Sequence, residues 1–212
     1  CRWQTGDEMA VLEMGTNHFG EIGRLCEISR PTHGLITNIG KGHLEFFHDL
    51  DGVFKAKSEL IDALDDGCLF LNGDDPYLMK VKNKDRQIIT FGLSDNCTFH
   101  PVEWELVDGY AVMKIDGQQI HLSVPGKYQL YNSLAAIAVG RTFQVSWEAI
   151  QETLSGFQAV DKRMEIFELN GIRLVNDSYN ANPTSVEEGI IALSSMKSMK
   201  RPSQPAFCPA EA

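Results

Sequence analysis

The sequence predicts an α/β fold: a mostly parallel sheet carrying an antiparallel insert, followed by the first elements of a second unit. Three observations predict it. From Met9 to Phe91, short apolar runs alternate with stretches of helical period, the pattern of strands buried on both faces and joined by crossover helices. From Thr98 the period changes to two, with Asp116-Gly117 between alternating runs, which signals antiparallel pairing through a tight hairpin. A second hairpin signal, Asn170-Gly171, then precedes a helix start at Asn182-Pro183.

The first strand is expected at Met9 to Met14, with Glu13 closing its apolar run. Gly15 and Gly20 mark the loop before a helix from Glu21 to Ser29. The next strand, Leu35 to Ile39, releases polar groups including His43 and Glu45 into a Gly-rich turn. A helical pattern follows, with Val53, Phe54, Leu60, Ile61 and Leu64 on one side and Lys57 near its start among the polar positions. Strand end, imidazole and lysine thus share one βα unit, where open α/β sheets place their ligands.

Cys68 to Leu71 and Gln87 to Phe91 continue the sheet, separated by a turn and short helix in GDDPYLMKVK. Phe99 to Leu106, Tyr110 to Ile115 and Gln119 to Val124 supply the antiparallel insert. VPGKYQLYNSLAAIAVGRTF then gives a helix with Leu130, Leu134, Ile137 and Ala138 at helical spacing and Asn132 among them. A short helix from Trp147 to Leu154 precedes the hairpin Met164 to Leu169 and Ile172 to Val175, whose second strand delivers Asp177 and Asn180 into a polar loop. In the helix after Pro183, Glu187 and Glu188 lie in the first turns, and Val186, Ile190 and Leu193 share one face.

With 212 residues, of which 43% are apolar and 23% charged, the chain can bury a real core as one domain plus part of another. A net charge of -10 without any basic run argues against nucleic acid or an anionic membrane surface as a partner. No apolar stretch is long enough to span a membrane, and the first residues lack a signal-peptide order. The five cysteines are scattered, odd in number and without metal-type spacing, which fits reduced thiols in a cytoplasm. Cys26 and Cys68 read as core residues.

Four strings carry a resemblance: EMG with GEI after it, ITNIGKGHLEFF, KAKSEL and DSYNANP. From about Val11 to about Met199 the chain resembles the Mur ligases, and within them the branch that adds D-alanyl-D-alanine to a UDP-N-acetylmuramoyl tripeptide. The resemblance implies a central ATP-binding domain at 1–160, the beginning of a Rossmann-like C-terminal ligase domain at 161–200, and a disordered tail at 201–212. It implies a monomeric, cytoplasmic enzyme of peptidoglycan precursor synthesis. ATP would phosphorylate the tripeptide carboxylate, and the amine of D-alanyl-D-alanine would attack the acyl phosphate.

By the same resemblance, Glu13 and His43 hold Mg²⁺, and Lys57 is carbamylated, which turns a cation into an oxygen-bearing anion. Asn132 would contact adenine, with Gln129 standing where the family has a second Asn, and Arg163, Asp177 and Asn180 would face the nucleotide across the domain boundary. Without the resemblance, Glu13 reads as a solvated strand-end acid, Lys57 as a surface lysine and Asn132 as a local cap. Glu13, His43 and Lys57 are expected to converge at the C-terminal edge of the sheet, with Lys57 at a helix N-terminus that favours the carbamate.

The sequence has no G-x-x-x-x-G-K-[ST] phosphate cradle. Neither Gly40-Lys41-Gly42 nor Pro125-Gly126-Lys127 replaces it, because both lack the glycine spacing and the hydroxyl. The abrupt ends suggest an internal piece of a ligase, inactive alone. Two alternatives stay open: a relative such as a folylpolyglutamate synthetase or another Mur ligase, and a non-catalytic nucleotide-binding scaffold from a decayed ligase gene.

Overall fold

Leu69-Phe70-Leu71-Asn72 is buried at every position, as the middle strand of a sheet covered on both faces must be. The computed structural model describes residues 6–42, 44–81, 86–158, 162–170, 172–179 and 183–196. In it, β1 (Gly34–Ile36), β2 (Leu69–Asn72) and β3 (Ile88–Phe91) form a parallel sheet in the order β1-β2-β3. Side chains alternate across a strand, so Phe70 enters one core while Leu69 and Leu71 enter another. The second core lies under α3 (Leu50–Asp62), with Val53, Ala56, Ile61 and Leu64 buried and Phe54 and Leu60 packed at its margin. α1 (Glu21–Ser29) packs on α3, and a four-residue α2 (Leu44–Phe47) precedes it in the turn after β1.

The opposite face is covered by α4 (Tyr128–Thr142) and by the antiparallel sheet of β4 (Glu103–Val107), β5 (Tyr110–Ile115) and β6 (Gln118–Pro125). Asp116 and Gly117 take φ of 48° and 77°, the left-handed pair a two-residue hairpin needs. Leu130, Leu134 and Ile137 are fully buried in the core that α4 shares with the parallel and antiparallel sheets. α5 (Trp147–Gly156) packs along β6, its start capped by Ser146, which accepts from the Ala149 amide at 3.2 Å.

β7 (Glu165–Leu169) and β8 (Ile172–Asn176) form a two-stranded sheet apart from the other two, followed by α6 (Pro183–Ser195). Arg173 pairs with Asp108 at 3.5 Å. Gly109, at φ 83°, leaves room for Met196, and Ala192 is buried against Gly126. The α6 side chains Val186, Ile190 and Leu193, expected to share one face, are all exposed.

Two expectations are corrected. Met9 to Met14 is no strand: among the described strands none pairs with it, and Val11 is 90% exposed. An apolar run becomes a strand only when its amides and carbonyls find a ladder, and the run's composition says nothing about a partner. Lys57 does not begin a helix either. Asp49 accepts from the Gly52 amide at 2.8 Å and starts α3 at Leu50, which leaves Lys57 in mid-helix, away from the favourable end of the dipole.

Candidate nucleotide cleft

The segment that follows β1, the inner side of α3, the start of α4 and the hairpin–α6 unit enclose a cleft of about 490 Å³, within the range of small-molecule sites. Of the residues singled out in the sequence, it brings together Lys57, Gln129, Asn132, Arg163 and Asp177. Lys41 and Lys127 also line it, so four cations face two acids, Asp177 and Glu188, in a chain of net charge -10. Such a local inversion of sign favours an anionic ligand.

Lys57 forms part of the wall from the middle of α3. Its Nζ donates to the Asn38 carbonyl at 2.7 Å. Burial pushes its pKa below the ordinary lysine range, with the nearby Asp75 charge opposing that shift. Lys55, two residues away, is exposed and lies 5.4 Å from the Phe19 ring centre. Asp75 is 8% exposed. Its Oδ2 accepts from the Ile39 amide at 2.7 Å and its Oδ1 from the amides of Tyr77 and Leu78 at 2.9 and 3.1 Å.

Asn132 and Gln129 lie one turn apart on α4, and the Asn132 amide donates to Gln129 Oε1 at 3.3 Å. Asn132 points away from the buried face of Leu130 and Leu134 and into the cleft. Across from it, Asp177 Oδ1 accepts from the Met164 amide at 3.1 Å. The Arg163 guanidinium sits 4.3 Å from the Tyr179 ring centre, a stacking contact that presents a planar cation at the rim.

The expected convergence of Glu13, His43 and Lys57 is not what the described residues show. Glu13 is exposed on the extended segment before α1 and does not line the cleft. His43 and Asn180 lie outside the described residues. Among the described residues, no group of three or more His, Cys, Asp or Glu side chains is placed to hold a metal ion. Both Asp75 oxygens are taken by amides, and Lys57 as an amine is a donor. The oxygen set that Mg²⁺ requires is therefore not assembled by these residues.

Residues 3–140 match the family model of the Mur ligase middle domain. The chain belongs to the Mur ligase family. It is 32% identical over 185 residues to the UDP-N-acetylmuramoyl-tripeptide–D-alanyl-D-alanine ligase of Bacillus subtilis, a match covering 86% of the chain and 40% of that protein. It is 29% identical to the Escherichia coli ligase of the same name, over 89% of the chain and 44% of the relative. The crystal structure of the MurF ligase from Thermotoga maritima in complex with ADP is similar with a TM-score of 0.80 at 28% identity, covering 91% of this chain and 46% of that one. MurF from Acinetobacter baumannii also gives 0.80 at 28%, covering 86% and 42%. The chain spans less than half the length of these relatives, and its similarity is of the MurF type that DSYNANP suggested.

Sequence reasoning missed two residues that line the cleft, Lys127 and Tyr179, and one that stands behind its wall, Asp75. Asp75 was hidden in a turn, Lys127 in a Pro-Gly corner, and Tyr179 within a string read only for its Asp and Asn. Asp75 carried half a signal: an Asp before Pro76 that accepts from amides two and three residues on is an Asx turn. Its bond to Ile39, 36 residues away, left none.

Proposed function

We propose that this chain binds ATP in the cleft and contributes the nucleotide-handling part of an ATP-dependent carboxylate–amine ligase of peptidoglycan precursor synthesis. The reaction is the addition of D-alanyl-D-alanine to UDP-N-acetylmuramoyl tripeptide through an acyl phosphate. The observation that carries the reading is the meeting, in one cleft, of Lys57, Gln129, Asn132, Arg163 and Asp177 from three parts of a Mur ligase fold. The ADP complex of the Thermotoga maritima relative supports a nucleotide as the ligand class.

In this reading Asn132 and Gln129 offer the amide donors and acceptors that a purine edge needs. Arg163, beside Tyr179, and Lys127, 5.5 Å from the Trp104 ring centre, supply positive charge where phosphate oxygens lie, and positioned charge is the main protein contribution to phosphoryl transfer. Lys57 is carbamylated: its neutral amine attacks CO₂, an N–C bond forms as one C=O π bond opens to an oxyanion, and a proton leaves to solvent. The lowered pKa of the half-buried amine favours the neutral form this step needs. The chain alone has no ligase turnover and weak ATP affinity, because side chains rather than an amide cradle meet the phosphates.

Calorimetry with ATP and Mg²⁺ tests this. The dissociation constant should be weaker than about 10 μM, about −7 kcal/mol, and Asn132→Ala and Arg163→Ala should each weaken it further. Binding untouched by both substitutions would place the nucleotide elsewhere, and phosphate release driven by the two substrates would refute the inactivity.

A further inference from the structure

We propose that Asp75 is a positioning residue for Lys57, acting through the single peptide group that joins Asn38 to Ile39. The two bonds described above meet on that group from opposite ends. Asp75 Oδ2 takes its N–H from Ile39, and Lys57 Nζ donates to its oxygen on Asn38, each at 2.7 Å. A peptide group is planar and rigid, so a carboxylate that fixes the N–H also fixes the direction of the carbonyl. The carbonyl in turn fixes where the lysine nitrogen sits against the cleft wall.

The carboxylate is itself well held. It is almost wholly buried, and the amides of Tyr77 and Leu78 fill its other oxygen. Amide bonds to an ionised acceptor are among the stronger ones in proteins, so the clamp costs little motion when a ligand arrives. The 38–42 stretch also carries Asn38, Gly40, Lys41 and Gly42 into the cleft, and Asp75 anchors it from beneath.

The inference rests on Lys57 being a working group of the nucleotide cleft, and it adds how that group is aimed. One N–H of Nζ is committed to Asn38, which leaves its remaining valences toward the cleft. A carbamate nitrogen keeps a single N–H, and that is enough to hold the Asn38 contact while its two oxygens face the ligand. The planar carbamate would then be fixed in orientation as well as in place, which is the preorganisation a reacting site requires.

Asp75→Asn separates the roles, because an asparagine oxygen can keep the two local amides while its NH₂ group faces the Ile39 N–H and cannot accept from it. The readout is the acylation rate of Lys57 by a small amine-directed reagent, divided by that of Lys55 on the same helix, measured by mass spectrometry on the 212-residue chain. In Asp75→Asn this ratio rises several-fold and amide exchange at Ile39 accelerates. Loss of the Asp75 charge alone would raise the ratio without touching Ile39, and a general loss of stability would move both lysines together. An unchanged ratio, or unaltered exchange at Ile39, in a folded Asp75→Asn protein overturns the proposal. Lys57→Met, which leaves the buried acid alone, serves if Asp75→Asn does not fold: exchange at Ile39 quickens while Leu69 and Phe70 in β2 stay protected, and unaltered exchange at Ile39 overturns it equally. Absence of ATP binding by the wild-type chain would sink the ligase reading while leaving the acylation ratio to judge Asp75.

Discussion

Tyr131 and Asp74 show how single side chains fix the helix that lines the cleft. The Tyr131 hydroxyl bonds Asp74, whose Oδ2 also accepts from the Leu93 amide at 2.6 Å. Burial and the adjacent carboxylate push the Tyr131 phenol up to about 12. A phenol with a raised folded pKa adds stability that is fully present below its ordinary value of about 10 and is lost as pH rises toward about 12. Tyr131→Phe should therefore cost about 1 kcal/mol at neutral pH and flatten the loss of thermal stability between those values. Melting curves across that range check it, and a parallel loss in both proteins would rule Tyr131 out. None of this pairing was legible in the sequence. Asp74 and Tyr131 are 57 positions apart, and a turn acid and a helix phenol carry no mark of each other. Asn132 was singled out only through the family resemblance, since its spacing alone read as a local cap; the fold turns it away from Leu130 and Leu134 and into the cleft.

Elements were read well where burial alone decides them and poorly where pairing or capping does. α1, β5 and α4 follow from apolar spacing, and each lies where that spacing put it. The start of α3 depended on Asp49 as a cap, and the absent strand at Met9 to Met14 depended on a partner. The contact between α1 and α3 belongs to the same class. Glu59 on α3 reaches across so that its two oxygens accept from the amides of Gly20 and Gly23 at 2.6 and 3.0 Å, taking donors that the first turn of α1 cannot satisfy itself. Glu59→Ala should cost about 1 to 2 kcal/mol and loosen the 16–20 loop, which brings Thr16 to the cleft. Amide exchange would show it: Gly20 and Gly23 should lose protection in Glu59→Ala before α3 does. Simultaneous loss along both helices would mean that the carboxylate supports the whole fold rather than this one joint.

At the scale of the molecule, the cleft exists because the hairpin–α6 unit rests on the antiparallel sheet, and the seat is made of glycine. Gly109 and Gly126 are joined by a backbone bond of 2.9 Å, and both have positive φ. A Cβ on Gly109 would come within 2.9 Å of Met196 Cγ, and the Gly126 position lies 3.8 Å from the Ala192 methyl. Ala192, with Glu188 and Gly189 one turn earlier, forms the α6 wall of the cleft. Gly109→Ala should thus act twice, through left-handed strain of about 1 kcal/mol and by pushing Met196 and the end of α6 away. Gly117 supplies the control. It has nearly the same φ, 77° against 83°, in the turn at the other end of β5, and nothing lies within 4 Å of its missing Cβ. Gly117→Ala should lower the melting temperature by a similar amount and leave the cleft alone. Only Gly109→Ala should weaken ATP binding, by about threefold to tenfold or up to about 1.4 kcal/mol, and speed tryptic cleavage at Lys162 and Arg163. Equal effects of the two substitutions on ATP affinity and cleavage would show that backbone strain in the sheet, and not the α6 seat, governs the cleft.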